Sequence, residues 1–198
     1  MARRDYAFQI RIELLGVEPP VWRRIQIAQA ATFWDLHVAI QDAMGWQDSH
    51  LHAFRFVGSD LTLGIPDDEG FDDVDTQPGW RTGIRDKLGY HTPLALYEYD
   101  FGDSWLHEVR FEKMVEAGVK VRFPRCVDGA RRCPPEDCGG PGGYEELLRV
   151  LADPDDDDHE SMREWCGGRF DPEEFDAQRV RFQDPAKRWR EVFEDDDA

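Results

Sequence analysis

Hydrophobic and polar positions alternate at the start of the chain, with Tyr6, Phe8, Ile10, Ile12 and Leu14 on one face. A period of two predicts a strand, because successive side chains point to opposite sides of a sheet. Gly16 to Pro20 is turn chemistry, and Val21, Arg23, Ile25 and Ile27 then share one face of a second strand. Together the two predict a hairpin. The period changes at Thr32. Phe33, Leu36, Ile40, Ala43 and Met44 follow helical spacing, Thr32 and Asp35 form a capping box with Asp in place of Glu, and Gly45 supplies the stop. His50 to Val57 alternates again, with His50, His52, Phe54 and Phe56 on one face. The order strand, strand, helix, strand matches a β-grasp-like layer, in which one helix packs across a sheet.

Residues 58–80 carry Pro66, Asp67, Asp68, Glu69, Asp72, Asp73 and Asp75, which predicts an exposed acidic loop inserted in the core domain. Leu94 to Phe101 and Trp105 to Phe111 predict a second hairpin. If Phe101 faces Ser104, then Asp100 faces Trp105, Glu98 faces His107 and Leu96 faces Val109. A Pro- and Gly-rich stretch leads to a short helix at Tyr144, Leu147, Leu148 and Leu151, and a second helix holds Met162 and Trp165. Asp171-Pro172 and Asp184-Pro185 each read as an N-cap followed by Pro at the first helical position. Phe175, Phe182, Trp189, Val192 and Phe193 give this tail an apolar stripe that must pack on something. The expected fold class is α+β: an antiparallel or mixed sheet with a β-grasp-like first half, over residues 1–152, and an acidic helical extension, 153–198, packed on that core.

Charge narrows the function classes. The chain has 198 residues, with 42 acidic and 24 basic side chains, a formal net charge of −18. Nucleic-acid binders work through Lys and Arg, so direct nucleic-acid binding is not expected, nor is an anionic membrane surface. With 40% hydrophobic and 12% aromatic residues the chain is not a disordered acidic polymer. Residues 153–198 hold 17 acidic and 7 basic side chains, more than half of the excess, while the body from 81 to 152 is near balance. No apolar run approaches the ~18 residues of a membrane span, and the absence of an apolar leader makes the cytoplasm the expected compartment. In a reducing cytosol the cluster of Cys126, Cys133 and Cys138 is either free thiols or a metal site, and Cys166 stands apart.

Several strings together resemble one family. They are Pro-Pro-Val-Trp-Arg-Arg-Ile (19–25), Thr-Phe-Trp-Asp-Leu-His (32–37), Ile-Gln-Asp-Ala-Met-Gly-Trp-Gln-Asp-Ser-His-Leu-His-Ala-Phe (40–54) and Tyr-Glu-Tyr-Asp-Phe-Gly-Asp-Ser-Trp-Leu-His-Glu-Val (97–109). Cys-Pro-Pro-Glu-Asp-Cys-Gly-Gly-Pro-Gly-Gly-Tyr (133–144) and Phe-Asp-Pro-Glu-Glu-Phe-Asp (170–176) complete the set. The chain is similar over about residues 6–183 to the plasmid pRiA4b ORF-3-like family. The resemblance implies an α+β fold and a setting among plasmids and mobile elements; it assigns no activity. A resolvase label carried by some members does not fit this chain, which offers no basic recognition helix.

Four groups of residues are candidate sites. Cys126, Cys133 and Cys138, with His107 as a fourth ligand, have the donor types for Zn²⁺, although their spacing is not that of a standard zinc knuckle. Glu98, Asp100 and Asp103 on the second hairpin, with His107, form a polar cluster able to hold a metal or to act as a base. His50 and His52 have His-x-His geometry. Arg23 and Arg24 can bind an anion if they converge. No Gly-Lys-Ser/Thr follows the glycines at 139–143, which excludes a phosphate loop. Tyr97, Tyr99 and Phe101 make an aromatic stripe, either core or partner surface. The reading that ties these together is an accessory protein that binds another protein, preferably a basic one, through acidic and aromatic surfaces. One alternative is a metal-dependent enzyme, a hydrolase, built from the cysteine loop and the 94–111 hairpin. Another is an acidic DNA-mimic regulator, docking through Asp155 to Asp158.

Overall fold

The first alternation becomes β1 (Tyr6–Leu14) and β2 (Trp22–Ala28), an antiparallel pair in which Ile10 faces Ile25. The computed structural model describes residues 6–66, 75–118 and 121–194. Helix α1 (Phe33–Met44) follows. Thr32 accepts from the Asp35 amide while Asp35 accepts from the Thr32 amide, and Gly45 ends the helix at φ 90°. The remaining strands are β3 (His52–Phe56), β4 (Thr62–Gly64), β5 (Thr76–Pro78), β6 (Leu94–Tyr99), β7 (Trp105–Glu116) and β8 (Arg125–Ala130). Three more helices close the chain: α2 (Gly140–Ala152), α3 (His159–Trp165) and α4 (Pro185–Phe193).

All eight strands form one sheet in the order β5-β4-β3-β6-β7-β1-β2-β8, antiparallel except for β4 beside β5. The fold is α+β. The strand, strand, helix, strand order is present, with the β6–β7 hairpin lying between β3 and β1. Phe8, Ile10, Ile12 and Leu14 of β1 pack with Phe33, Leu36 and Ile40 of α1 and with Tyr144 and Leu147 of α2 in one core. Each such side chain contributes about 1.5–3 kcal/mol on burial. On β1 and its neighbours the alternate positions are polar and paired across strands: Glu112 accepts from Gln9 and Arg24, and Gln26 accepts from Arg125.

Three expectations are corrected. The second hairpin is shifted by one residue: Tyr97 faces His107, Glu98 faces Leu106 and Tyr99 faces Trp105. The turn takes five residues, Asp100 to Ser104, and both end residues adopt positive φ, 57° and 54°. The shift puts Tyr97, Tyr99, Trp105 and His107 together in the core, each at 0% exposure. The aromatic stripe is therefore core at Tyr97 and Tyr99. The 58–80 segment is more than a loop: β4 and β5 extend the sheet within it, although its acidic residues 67–69, 72 and 73 lie outside the described residues. Three-residue strands are too short to show a period. Finally, Asp171-Pro172 opens no helix; Asp171 closes a local turn, accepting from the Glu173 amide.

Candidate metal-binding cleft

The expected thiol centre is not assembled. Cys126 lies on β8 opposite Ile25 with its thiol on the Asp128 carbonyl, and Cys133 is buried. Burial pushes the thiols of Cys133 and Cys138 up to about 12, which disfavours the thiolate that binds metal. His107 is in the core, its Nδ1 3.0 Å from the Trp105 carbonyl, and burial pushes its pKa down to about 4. Among the described residues, none of these four belongs to a group of three potential ligands within coordination distance.

Arg23 and Arg24 do not converge either. Arg23 is 2% exposed, donates to the carbonyls of Ala43, Trp22 and Ala130, and stacks on Phe175 at 3.9 Å. Arg24, on the opposite face, pairs with Glu112 and Asp128. Glu98 points away from His107 and is held by Arg55 and by the Ser104 hydroxyl.

A different set does converge. The atoms of His50, Asp100 and Asp137 that could ligate a metal all lie within 4.8 Å of one another. His50 Nε2 is 2.9 Å from Asp137 Oδ1 and 3.6 Å from Asp100 Oδ2. Each comes from a different segment: the bend before β3, the β6–β7 turn and the cysteine loop. Other contacts pin these segments. Asp100 Oδ1 accepts from the amides of Gly102 and Asp103, which leaves Oδ2 facing His50. Asp103 Oδ2 accepts from the Gly139 amide, tying the turn to the loop. Glu136 accepts from the Tyr99 hydroxyl and the Gln47 amide, and Trp46 Nε1 donates to the Pro134 carbonyl.

His50 and Asp100 line a cleft of about 430 Å³ together with Trp34, Asp48, Leu51, Phe101 and others. Behind Asp48, which lines the cleft, lies a buried polar group. Asp48 Oδ1 is 2.8 Å from His37 Nε2, His37 Nδ1 is 2.9 Å from the Tyr97 hydroxyl, and Gln41 donates to that hydroxyl. The Tyr97 hydroxyl donates to His37 Nδ1 when that nitrogen is the acceptor, whereas His37 Nε2 lies close to Asp48 without hydrogen-bond alignment. Burial raises the Tyr97 pKa well above its usual value, which keeps the hydroxyl a donor. His52 turns inward and stacks on His37 at 3.5 Å, so the His-x-His pair is divided between the cleft mouth and the core. Burial, followed by the neighbouring His37, lowers the His52 pKa well below the usual imidazole value. The sequence reading missed Asp137, His37 and Asp48. A signal existed in α1, where His37 and Gln41 are polar, four residues apart, and buried.

Comparison with known proteins agrees with this geometry in extent. A family model described as plasmid pRiA4b ORF-3-like protein matches residues 6–179. An uncharacterized protein, y4hQ, of Sinorhizobium fredii is 37% identical over 160 residues, covering 80% of each chain. The crystal structure of a protein of unknown function from Methanosarcina mazei Go1 superposes with a TM-score of 0.83 at 37% identity, covering 90% of this chain and 99% of that one.

Proposed function

The chain belongs to the plasmid pRiA4b ORF-3-like family, and from that premise and the cleft we propose that it binds a divalent cation and, through it, a small anionic or carbonyl-bearing ligand. The observation that carries this reading is the meeting of His50 and Asp100, which line the cleft, with the neighbouring Asp137. One imidazole with two carboxylates suits Zn²⁺ or Mn²⁺. Three protein ligands leave a position open for water or substrate, the pattern of catalytic rather than structural sites. A bound ion lowers the pKa of its water and polarises a carbonyl or phosphoryl oxygen, so metal-assisted hydrolysis is the reaction class this arrangement supports. The hydrogen bonds that orient Asp100 are the outer partners such a site needs. Calorimetric titration with Zn²⁺ and Mn²⁺ tests the reading. His50→Ala and Asp100→Asn each weaken binding at least about tenfold; unchanged affinity in both variants removes it.

A second reading, docking of a basic protein, has its own support. No residue of α3 is buried, Trp165 is 50% exposed, and an apolar groove of about 470 Å³ runs between Leu147, Val150, Met162 and Trp165 beside the acidic run. If the chain shares the mobile-element setting that the family resemblance implies, a basic DNA-binding protein is the fitting partner. Asparagine at Asp155, Asp157 and Asp158, with Asp156 kept because it pairs with Arg149, abolishes binding to such a protein on this reading; indifference to the change counts against it.

A further inference from the structure

Helix α4 is a basic helix in an acidic tail, with Lys187, Arg188 and Arg190 against Glu191. It is seated by two kinds of contact. Arg188, 7% exposed, places Nη1 2.9 Å from Asp48 Oδ2 and Nη2 3.3 Å from Asp42 Oδ1. Both carboxylate side chains are nearly sealed from solvent, at 6% and 4% exposure. Beside them, Trp189 lies 4.4 Å from Trp80 and 5.4 Å from Trp34, and Phe193 lies 5.8 Å from Trp34. Trp34 Nε1 donates to the Pro185 carbonyl, and Asp42 accepts from the Gln183 amide.

The socket lies inside the family match and its occupant lies outside it. Trp34, Asp42, Asp48 and Trp80 all lie within the family match, which ends at residue 179, before α4 begins. With α4 seated, both carboxylates are sealed and Arg188 supplies their cation; removing the guanidinium alone would leave buried charge uncompensated. Two carboxylates and two indoles of the matched segment are therefore covered, in this chain, by a guanidinium and aromatic rings from outside it.

We propose that the Asp42, Asp48, Trp34 and Trp80 socket recognises a basic amphipathic helix of another protein, carrying Arg followed by an aromatic residue, and that α4 is its tethered, displaceable occupant. The observations that carry this are charge complementarity and the seated helix itself. The proposal stands apart from the metal reading, because none of the three cation ligands belongs to the socket. The sites are nonetheless adjacent: Val192 of α4 lines the cleft, and Asp48 belongs to both. Displacing α4 therefore removes one wall of the cleft.

The test uses the full chain and a labelled peptide with the sequence of residues 183–194. In the unaltered protein the tethered helix competes at an effective concentration on the order of millimolar, so micromolar peptide binds poorly. The Arg188→Ala/Trp189→Ala double variant of the full chain frees the socket and binds the peptide at least about tenfold more tightly. The same substitution of Arg by Ala within the peptide abolishes that gain. A folded double variant that ignores the peptide, or binds it equally without its arginine, overturns the proposal. Hydrogen exchange on the unaltered chain tests displaceability even if the variant fails to fold. Amides of α4 exchange by local opening, faster than those of α1; exchange of α4 only together with β1 and β7 overturns it.

Discussion

Asp48 and Asp100, which line the cleft, and Asp137, which contacts His50, all sit on left-handed backbone, at φ 65°, 57° and 58°. Aspartate tolerates this region because its short carboxylate can bond the nearby backbone, as Asp100 does with the Gly102 amide. At Asp100 a turn residue and a candidate metal ligand are thus the same residue, and the sequence offers both readings without deciding between them. Arg23 shows the opposite case. The alternation of Val21, Arg23, Ile25 and Ile27 places it inward, yet an arginine on an apolar face suggests anion binding until the three carbonyls it serves are visible. His107 carries a pH prediction. Burial holds its pKa at about 4 in the folded state, against roughly 6.5 for a free imidazole. The unfolded chain takes up the proton first, so this contribution is complete above about pH 6.5 and is lost as pH falls toward 4. The loss amounts to about 3 kcal/mol, and His52, shifted in the same direction, adds to it. Urea midpoints from pH 7 to 4 should fall less steeply for His107→Leu than for the unaltered chain; equal slopes contradict the assignment.

At the scale of elements, β1, β2 and α1 are legible because each is long enough to show its period and α1 carries both caps. The β6–β7 register is not legible, because it hangs on turn length, and a five-residue turn in place of a two-residue one moves every partner by one. That single shift takes His107 out of the polar cluster and into the core. The cysteine loop acts through its backbone. Gly140 sits at φ 67°, and a Cβ there would lie 2.4 Å from the Asp103 carbonyl oxygen. Gly140→Ala therefore pushes the loop off the β6–β7 turn and separates Asp137 from Asp100. Metal affinity should drop about tenfold or more while the cooperative unfolding transition persists. An alanine variant with unaltered affinity shows that the loop does not set the site.

At the scale of the molecule, the charge of −18 is distributed rather than uniform. The acidic excess lies in the tail and the 58–80 segment, whereas the described part of the body pairs its charges across strands and builds the cleft. Among the described residues no helix is long and apolar enough to cross a membrane. What the sequence conveys about the candidate site is its parts. Asp100, His50 and the cysteine loop can be singled out from the chain, but their convergence depends on β3, the β6–β7 turn and the loop before α2 being brought to one end of the sheet. The central claim is that this convergence, and not the thiols, holds the metal. Anomalous scattering at the metal edge from crystals grown with Zn²⁺ tests it most directly. The account predicts a peak between His50 Nε2, Asp100 Oδ2 and Asp137 Oδ1; a peak at Cys126, Cys133 or Cys138, or none near His50, contradicts it.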